Sequence, residues 1–309
     1  MEINQGNLAS LYTGLRGEFR QALEQVKIPE FAQQLVLEVP SSVSREEIPT
    51  AAFLGDMEEL LDQYGEVNLG NWLLTVENRY FGRILKVPRA NIEEDTLGLV
   101  RTLLGEFARR CATFPYRRIP DLFVGGFTTA WVDGANVFSN NHTWPGGQTW
   151  DNLDAVPLTV AGFEQVAMNL MNRVGPDGQS LDLTPTHLIV GPAYWVRARQ
   201  IIHRQLIGGG DSNIHYQEVE VVKWSRLRGD HAYDWFVADF SPDKIKPIVL
   251  LNRVPPEFAA QDSPTSDGAF LREEYRYKVS RRFGMAIAAP WRIQAVQQGD
   301  EPVTTTTAS

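Results

Sequence analysis

Apolar residues fall three or four apart along several stretches of this chain, and alternate or run together in others. The pattern predicts a mixture of amphipathic helices and strands. Leu8, Leu11, Leu15, Phe19, Leu23 and Val26 place a helix over residues 7–26, and Pro29, Pro40 and Pro49 then punctuate an extended stretch. Residues 56–64 read as a short helix with Met57, Leu60, Leu61 and Tyr64 inward, ended by Gly65. Trp72 to Val76 and Tyr80 to Val87 read as strands joined through Glu77, Asn78 and Arg79, a β-hairpin. A lone hairpin is only marginally stable, so this one must lean on its own core or on another subunit.

The strongest helical stripe is Leu97, Val100, Leu104, Phe107, Cys111 and Phe114. Asp95 is its candidate N-cap, Arg109 and Arg110 suit its C-terminal turns, and Pro115 is expected to stop it. From residue 119 the chain becomes loop-rich, with turns at Gly125-Gly126, Asp133-Gly134 and Pro145-Gly146-Gly147. Helices follow over Thr159–Val174 and Tyr194–Leu206, with strands at His187–Val190, Glu218–Lys223, Asp234–Ala238 and Pro247–Leu251. After a polar loop, Gln261–Gly268, a long strand runs from Glu274 to Ala288, and Trp291–Val296 is read as its continuation past Pro290. The helical stripe is expected to face these C-terminal strands. Such alternation of helices and strands implies an α+β fold.

Composition narrows the function. The chain has 309 residues, 43% of them hydrophobic, and a net charge of −9. It carries no apolar run long enough to span a bilayer, and its polar N-terminus does not read as a secretory signal. A single cysteine, Cys111, excludes an intrachain disulfide framework and fits a reducing cytoplasm. A protein gripping DNA phosphates over a broad face needs clustered Lys and Arg; here the basic doublets are Arg109-Arg110, Arg117-Arg118 and Arg281-Arg282. Of the 29 basic residues, 23 are Arg, the type enriched at protein interfaces. No catalytic set assembles: there is no nucleophile elbow, the triple glycine at 208–210 lacks the Lys-Ser/Thr of a phosphate loop, and no Rossmann fingerprint follows a strand. No histidine pair has the spacing of a helical zinc site. Glu93, Glu94 and Asp95 read more simply as a helix start than as a metal or acid–base site, and the eight tryptophans read as core and interface packing. Neither cofactor nor metal is expected.

The stretch Asn78–Gly98, NRYFGRILKVPRANIEEDTLG, resembles the Mu-like phage major head subunit family. Asp133-Gly134 followed by Phe138 and His142, the run Trp235–Ile248 with its Lys-Pro-Ile, and Tyr277–Gly284 keep the family's order along residues 8–297. The resemblance implies the Hong Kong 97 capsid fold: an N-terminal arm (1–50), an extended E-loop hairpin (51–95), a peripheral domain with a long spine helix (96–118), an axial domain (119–267), returning peripheral strands (268–298) and a disordered tail (299–309). It implies a non-enzymatic major capsid protein of a tailed double-stranded DNA phage, assembled in the bacterial cytoplasm into hexamers and pentamers of an icosahedral virion shell.

On that reading Trp72, Tyr80, Phe81 and Arg83 contact a neighbouring subunit, and Leu97, Val100, Leu104, Phe107 and Cys111 form the spine-helix core. The expected partners are further copies of the chain, a separate scaffold or protease, a portal, cementing proteins, and packaged DNA enclosed without sequence-specific binding; no membrane is involved. Between Lys27 and Lys86 there is no lysine, so the hairpin tip cannot supply a crosslinking amine. Rival readings are an encapsulin-type compartment of the same fold, a soluble enzyme, and a tail or baseplate component.

Overall fold

The computed structural model describes residues 5–49, 72–93, 99–206, 212–261 and 266–299. The expected helix at 56–64, the Asp95 cap, Leu97, the triple glycine at 208–210 and the tail beyond 299 lie outside them. Along the chain the elements are α1 (Gln5–Glu24), α2 (Glu30–Leu35), β1 (Val36–Pro40), β2 (Arg45–Pro49), β3 (Leu73–Glu77), β4 (Arg79–Pro88), α3 (Arg89–Glu93), α4 (Leu99–Arg117), α5 (Ile119–Gly125), β5 (His142–Thr143), β6 (Thr149–Trp150), β7 (Leu153–Asp154), α6 (Val160–Met171), β8 (His187–Val190), α7 (Trp195–Ile202), β9 (Glu220–Lys223), β10 (Trp235–Ala238), β11 (Ile248–Gln261), α8 (Asp267–Arg272), β12 (Glu274–Ile287) and β13 (Ile293–Val296).

Two larger sheets organise these elements. The long sheet has the order β1-β11-β12-β4, with β12 antiparallel to both neighbours. Alternation along β12 turns Tyr275, Tyr277, Val279, Arg281 and Phe283 to one face, where all are buried. Helix α4 lies on that face and α1 packs against α4. The second sheet, β7-β13-β10-β8-β9, is mixed. Its central strands β13, β10 and β8 are buried on both faces. Leu188, Val190, Trp235, Val237 and Val296 meet α6 and α7, while Ile189, Phe236, Ile293 and Ala295 join the central core with Phe123, Phe138 and the start of β11. Thr159 caps α6, its hydroxyl accepting from the Gly162 N–H at 3.0 Å.

Four expectations need correction. The Trp72–Val87 hairpin does not form. Strand β3 pairs antiparallel with β2, and β4 pairs with β12. A single residue, Asn78, separates β3 from β4, too few for a reversing turn. Its side chain instead donates to Ser41 Oγ and to the Val43 carbonyl, both at 2.8 Å. Strand β11 runs on to Gln261, well beyond Leu251, so the long sheet takes up residues from Ile248 that had been assigned to the axial lobe. Pro255 and Pro256 cannot donate to a ladder, and the register shifts around them absorb the loss. Third, Trp291–Val296 does not continue β12: Pro290 opens a 3-10 turn, and β13 crosses into the second sheet. Last, α4 passes Pro115 and ends at Arg117. A proline in the last turn forfeits one backbone bond without blocking the two residues after it.

Candidate functional site

The four residues assigned to a neighbour contact separate into two pairs. Trp72 and Phe81 pack within the chain and are half-buried there. Trp72 lies against Trp131 and Trp144, with ring centroids at 5.3 and 6.2 Å. Phe81 stacks on Phe283 at 4.5 Å and meets Phe114 at 5.3 Å, with the Arg118 guanidinium over its ring. Tyr80 and Arg83 are exposed, Tyr80 at 74%. Both lie on β4, an edge strand of the long sheet.

The spine-helix residues also divide. Leu104 is fully buried among Val87, Tyr275 and Tyr277. Phe107 and Cys111 instead border a cluster of Phe19, Ala22, Ala108 and Val279, so they sit where α1 meets the sheet. The side chain of Val100, like Leu97, lies outside the described set. Leu99 and Leu103 are each 59% exposed.

Periodicity gave no sign of three features that hold distant segments of the chain together. The first is a tryptophan cluster. Trp144 stacks on Trp150 at 4.8 Å, Trp131 lies edge-on to Trp150 and Trp291, and His142 stacks on Trp150 at 4.1 Å. Beneath it the buried Arg173 donates to the carbonyls of Trp291 and Asp151 and to the Gln294 side chain. Burial pulls its guanidinium down to about 10, so it stays charged at neutral pH. The second is Asp239 with Arg292, whose side chains are 0% and 2% exposed and 3.2 Å apart. Burial pushes the Asp239 carboxyl up, but the Ser241 hydroxyl and N–H, Lys244 and Arg292 outweigh it and hold it at about 2. Asp239-Phe240-Ser241 is a short Asx-turn signal legible in sequence; the Arg292 partner, far along the chain, is not. The third is the Asn78 pivot.

Four of the five histidines pair with carboxylates among the described residues. His142 lies 2.7 Å from Asp133, His231 is 2.6 Å from Asp234, and His187 is 3.4 Å from Glu220. His215 contacts Glu218 at 2.6 Å and Glu164 at 2.9 Å. Each pair braces a loop or strand end. Among the described residues no three His, Cys, Asp or Glu side chains are grouped to hold a metal, and no helix is long and apolar enough to cross a membrane.

The model of one protein family, described as the Mu-like prophage major head subunit gpT, matches residues 8–156, 150–227 and 223–298. The major capsid protein of Escherichia phage Mu is 26% identical over 145 residues, which cover 46% of this chain and 46% of that protein, so the match spans about half of the relative's length. Among solved structures, the procapsid of bacteriophage JBD30 is 18% identical, with 98% of this chain and 78% of that chain covered at a TM-score of 0.55. The JBD30 capsid decorated with minor capsid protein trimers is 17% identical, with coverage of 65% and 92% and a TM-score of 0.55.

Proposed function

The chain belongs to the Mu-like prophage major head subunit family, and from that premise we propose that it is the major capsid protein of a tailed double-stranded DNA phage. Its fold is the Hong Kong 97 capsid type, and the family is structural, not enzymatic. The observation that carries the proposal is the family match along residues 8–298. A subunit of this kind gathers into hexamers and pentamers, which close through heterologous contacts around each ring. Arm residues 1–50 and the segment between β2 and β3 reach neighbouring copies, and Tyr80 and Arg83 on the exposed edge strand take part in those contacts.

A separate scaffold or protease, a portal and cementing proteins complete the particle. The DNA is enclosed without sequence-specific grip, in keeping with the net charge of −9. Assembly takes place in the host cytoplasm.

Electron microscopy of the expressed full-length protein, with and without co-expressed neighbouring phage genes, tests this. Closed icosahedral shells are expected. A monomer at high concentration under both conditions would refute it, and shells filled with a cargo protein instead of DNA would point to an encapsulin-type compartment.

A further inference from the structure

Both ring nitrogens of His215 meet carboxylates. Nδ1 lies 2.6 Å from Glu218 Oε2, and Nε2 lies 2.9 Å from Glu164 Oε1. A neutral imidazole has one N–H and one lone pair, and a carboxylate offers only lone pairs. Two contacts of this length therefore need both nitrogens protonated. With a neutral ring, one nitrogen would face a carboxylate oxygen with no proton between them. The His215 side chain is 10% exposed, whereas those of Glu164 and Glu218 are 41% and 50% exposed, so water can receive a released carboxylate. Among the described residues these two are the charged groups that face the ring. Phe163 of α6 meets it edge-on at 5.4 Å, and the end of α7 meets its segment through the carbonyls of Ile201, Ile202 and Arg204.

The two carboxylates belong to different elements. Glu164 stands on α6, whereas His215 and Glu218 lie on residues 212–218, which lead from α7 into β9. That segment folds back on the end of α7. The Asn213 amide donates to the Ile201 and Arg204 carbonyls at 2.7 and 2.8 Å, and the Gln217 N–H donates to the Ile202 carbonyl at 2.8 Å. Its polar tie to α6, among the described residues, is the His215 ring. Gln217 is held at φ +56°, in the left-handed region that a non-glycine residue occupies at a cost, so the surrounding contacts restrain a backbone that does not rest there by itself. The segment carries the exposed Ile214.

We propose that His215 is a proton-operated clamp: its imidazolium holds segment 212–218 against α6, and loss of the proton opens the Glu164 arm and frees the segment. The Glu164 arm is the one that opens, because it is the longer contact and joins two elements, while Glu218 lies three residues from His215 and stays within reach. Burial lowers the pKa of the ring, but hydrogen bonds to Glu218 and Glu164 outweigh it and raise the pKa above the ordinary value of 6.5. A raised histidine keeps its tie below its free value and loses it as pH climbs through its folded value. Release therefore falls on the alkaline side of 6.5, and any contact that Ile214 makes becomes dependent on pH. The clamp lies within one chain and operates whether or not the chain builds a shell.

Amide hydrogen exchange of the full-length protein tests this by mass spectrometry at about pH 6 and about pH 9, corrected for the intrinsic rate, with the buried strand β8 as internal reference. Residues 212–218 should exchange roughly tenfold faster at the higher pH, the factor that one charge-assisted hydrogen bond carries, while β8 does not change. Two variants separate a clamp from a packed ring. Glu164→Gln keeps the shape and offers an amide N–H to the unprotonated Nε2 while Nδ1–H serves Glu218, so the segment should stay protected at both pH values. His215→Gln has a single amide that cannot serve both carboxylates, so the segment should exchange fast at both. A Glu164→Gln protein that loosens at high pH as the parent does overturns the inference. So does a parent whose segment exchanges equally at both pH values, or whose β8 loosens along with it. If His215→Gln fails to fold, the Glu164→Gln comparison decides alone, since that side chain is half-exposed.

Discussion

Replacing Arg292 by Met should expose how strongly the crossing between the two sheets depends on one ion pair. Arg292 Nη2 donates to Asp239 Oδ1 at 3.2 Å and to the Ser241 carbonyl at 3.1 Å, and its other arm reaches the Ile245 carbonyl. Met keeps most of the side-chain volume but leaves the buried carboxylate without its guanidinium. Removing one member of a buried pair costs about 3–5 kcal/mol. Lys244, 3.0 Å from Asp239, and the Ser241 N–H, 2.9 Å away, still serve the carboxylate, so about 3 kcal/mol is expected. That is a large part of a typical total of about 5–15 kcal/mol. The pH limb gives a second reading. Asp239 is held at about 2 against 3.8 when free, and this depression is worth about 2 kcal/mol at ~1.4 kcal/mol per unit. A lowered carboxyl stabilises above its unfolded value and loses that contribution as pH falls through its folded value. The loss therefore falls between about pH 4 and pH 2 and should move to higher pH in Arg292→Met. Urea unfolding of dispersed subunits across that range measures both. A cost below about 1 kcal/mol with an unmoved acid limb would refute the reasoning.

Three further outcomes are expected. Leu104→Ala, at a fully buried position among Val87, Tyr275 and Tyr277, should cost about 2–5 kcal/mol in subunit unfolding, whereas Arg83→Glu on the exposed edge strand should leave the melt unchanged and reduce shell yield in electron micrographs. Gly284→Ala should lower the melting temperature well beyond a surface substitution, because its Cβ would sit 2.6 Å from the Glu77 carbonyl and 2.9 Å from Val76 Cγ1; differential scanning calorimetry would detect it. At His215 burial pulls the imidazole down, but hydrogen bonds to Glu218 and Glu164 outweigh it and raise its pKa above 6.5. A raised His stabilises below its unfolded value and loses that contribution as pH climbs through the folded one, so thermal melts from about pH 6 to about pH 9 should decline in the parent and flatten in His215→Gln.

The elements whose own periodicity carries them were legible. Phe19 and Leu104 sit on stripes spaced for one helix face, and both are buried. His187–Val190 is an apolar run that became a central strand at those same residues. Exposed β4 positions were legible only as strand, because exposure depends on what lies opposite. Ile84 and Lys278 lie opposite each other across β4 and β12 although some 200 positions apart in the chain, and nothing local to Ile84 foretells Lys278.

By itself the sequence determined that the chain is α+β, where its amphipathic helices run, and which family it resembles, since these follow from local periodicity and residue order. Tertiary structure alone decided pairing. Asn78 turns an apparent hairpin into two strands of different sheets because its amide satisfies Ser41 and Val43 rather than a turn. Pro290 with Arg292 diverts β13 from the long sheet because the buried guanidinium requires Asp239. Strand partners are chosen by contacts distant in the chain, where hydrogen bonding and desolvation of buried charge outweigh the preferences of neighbouring residues.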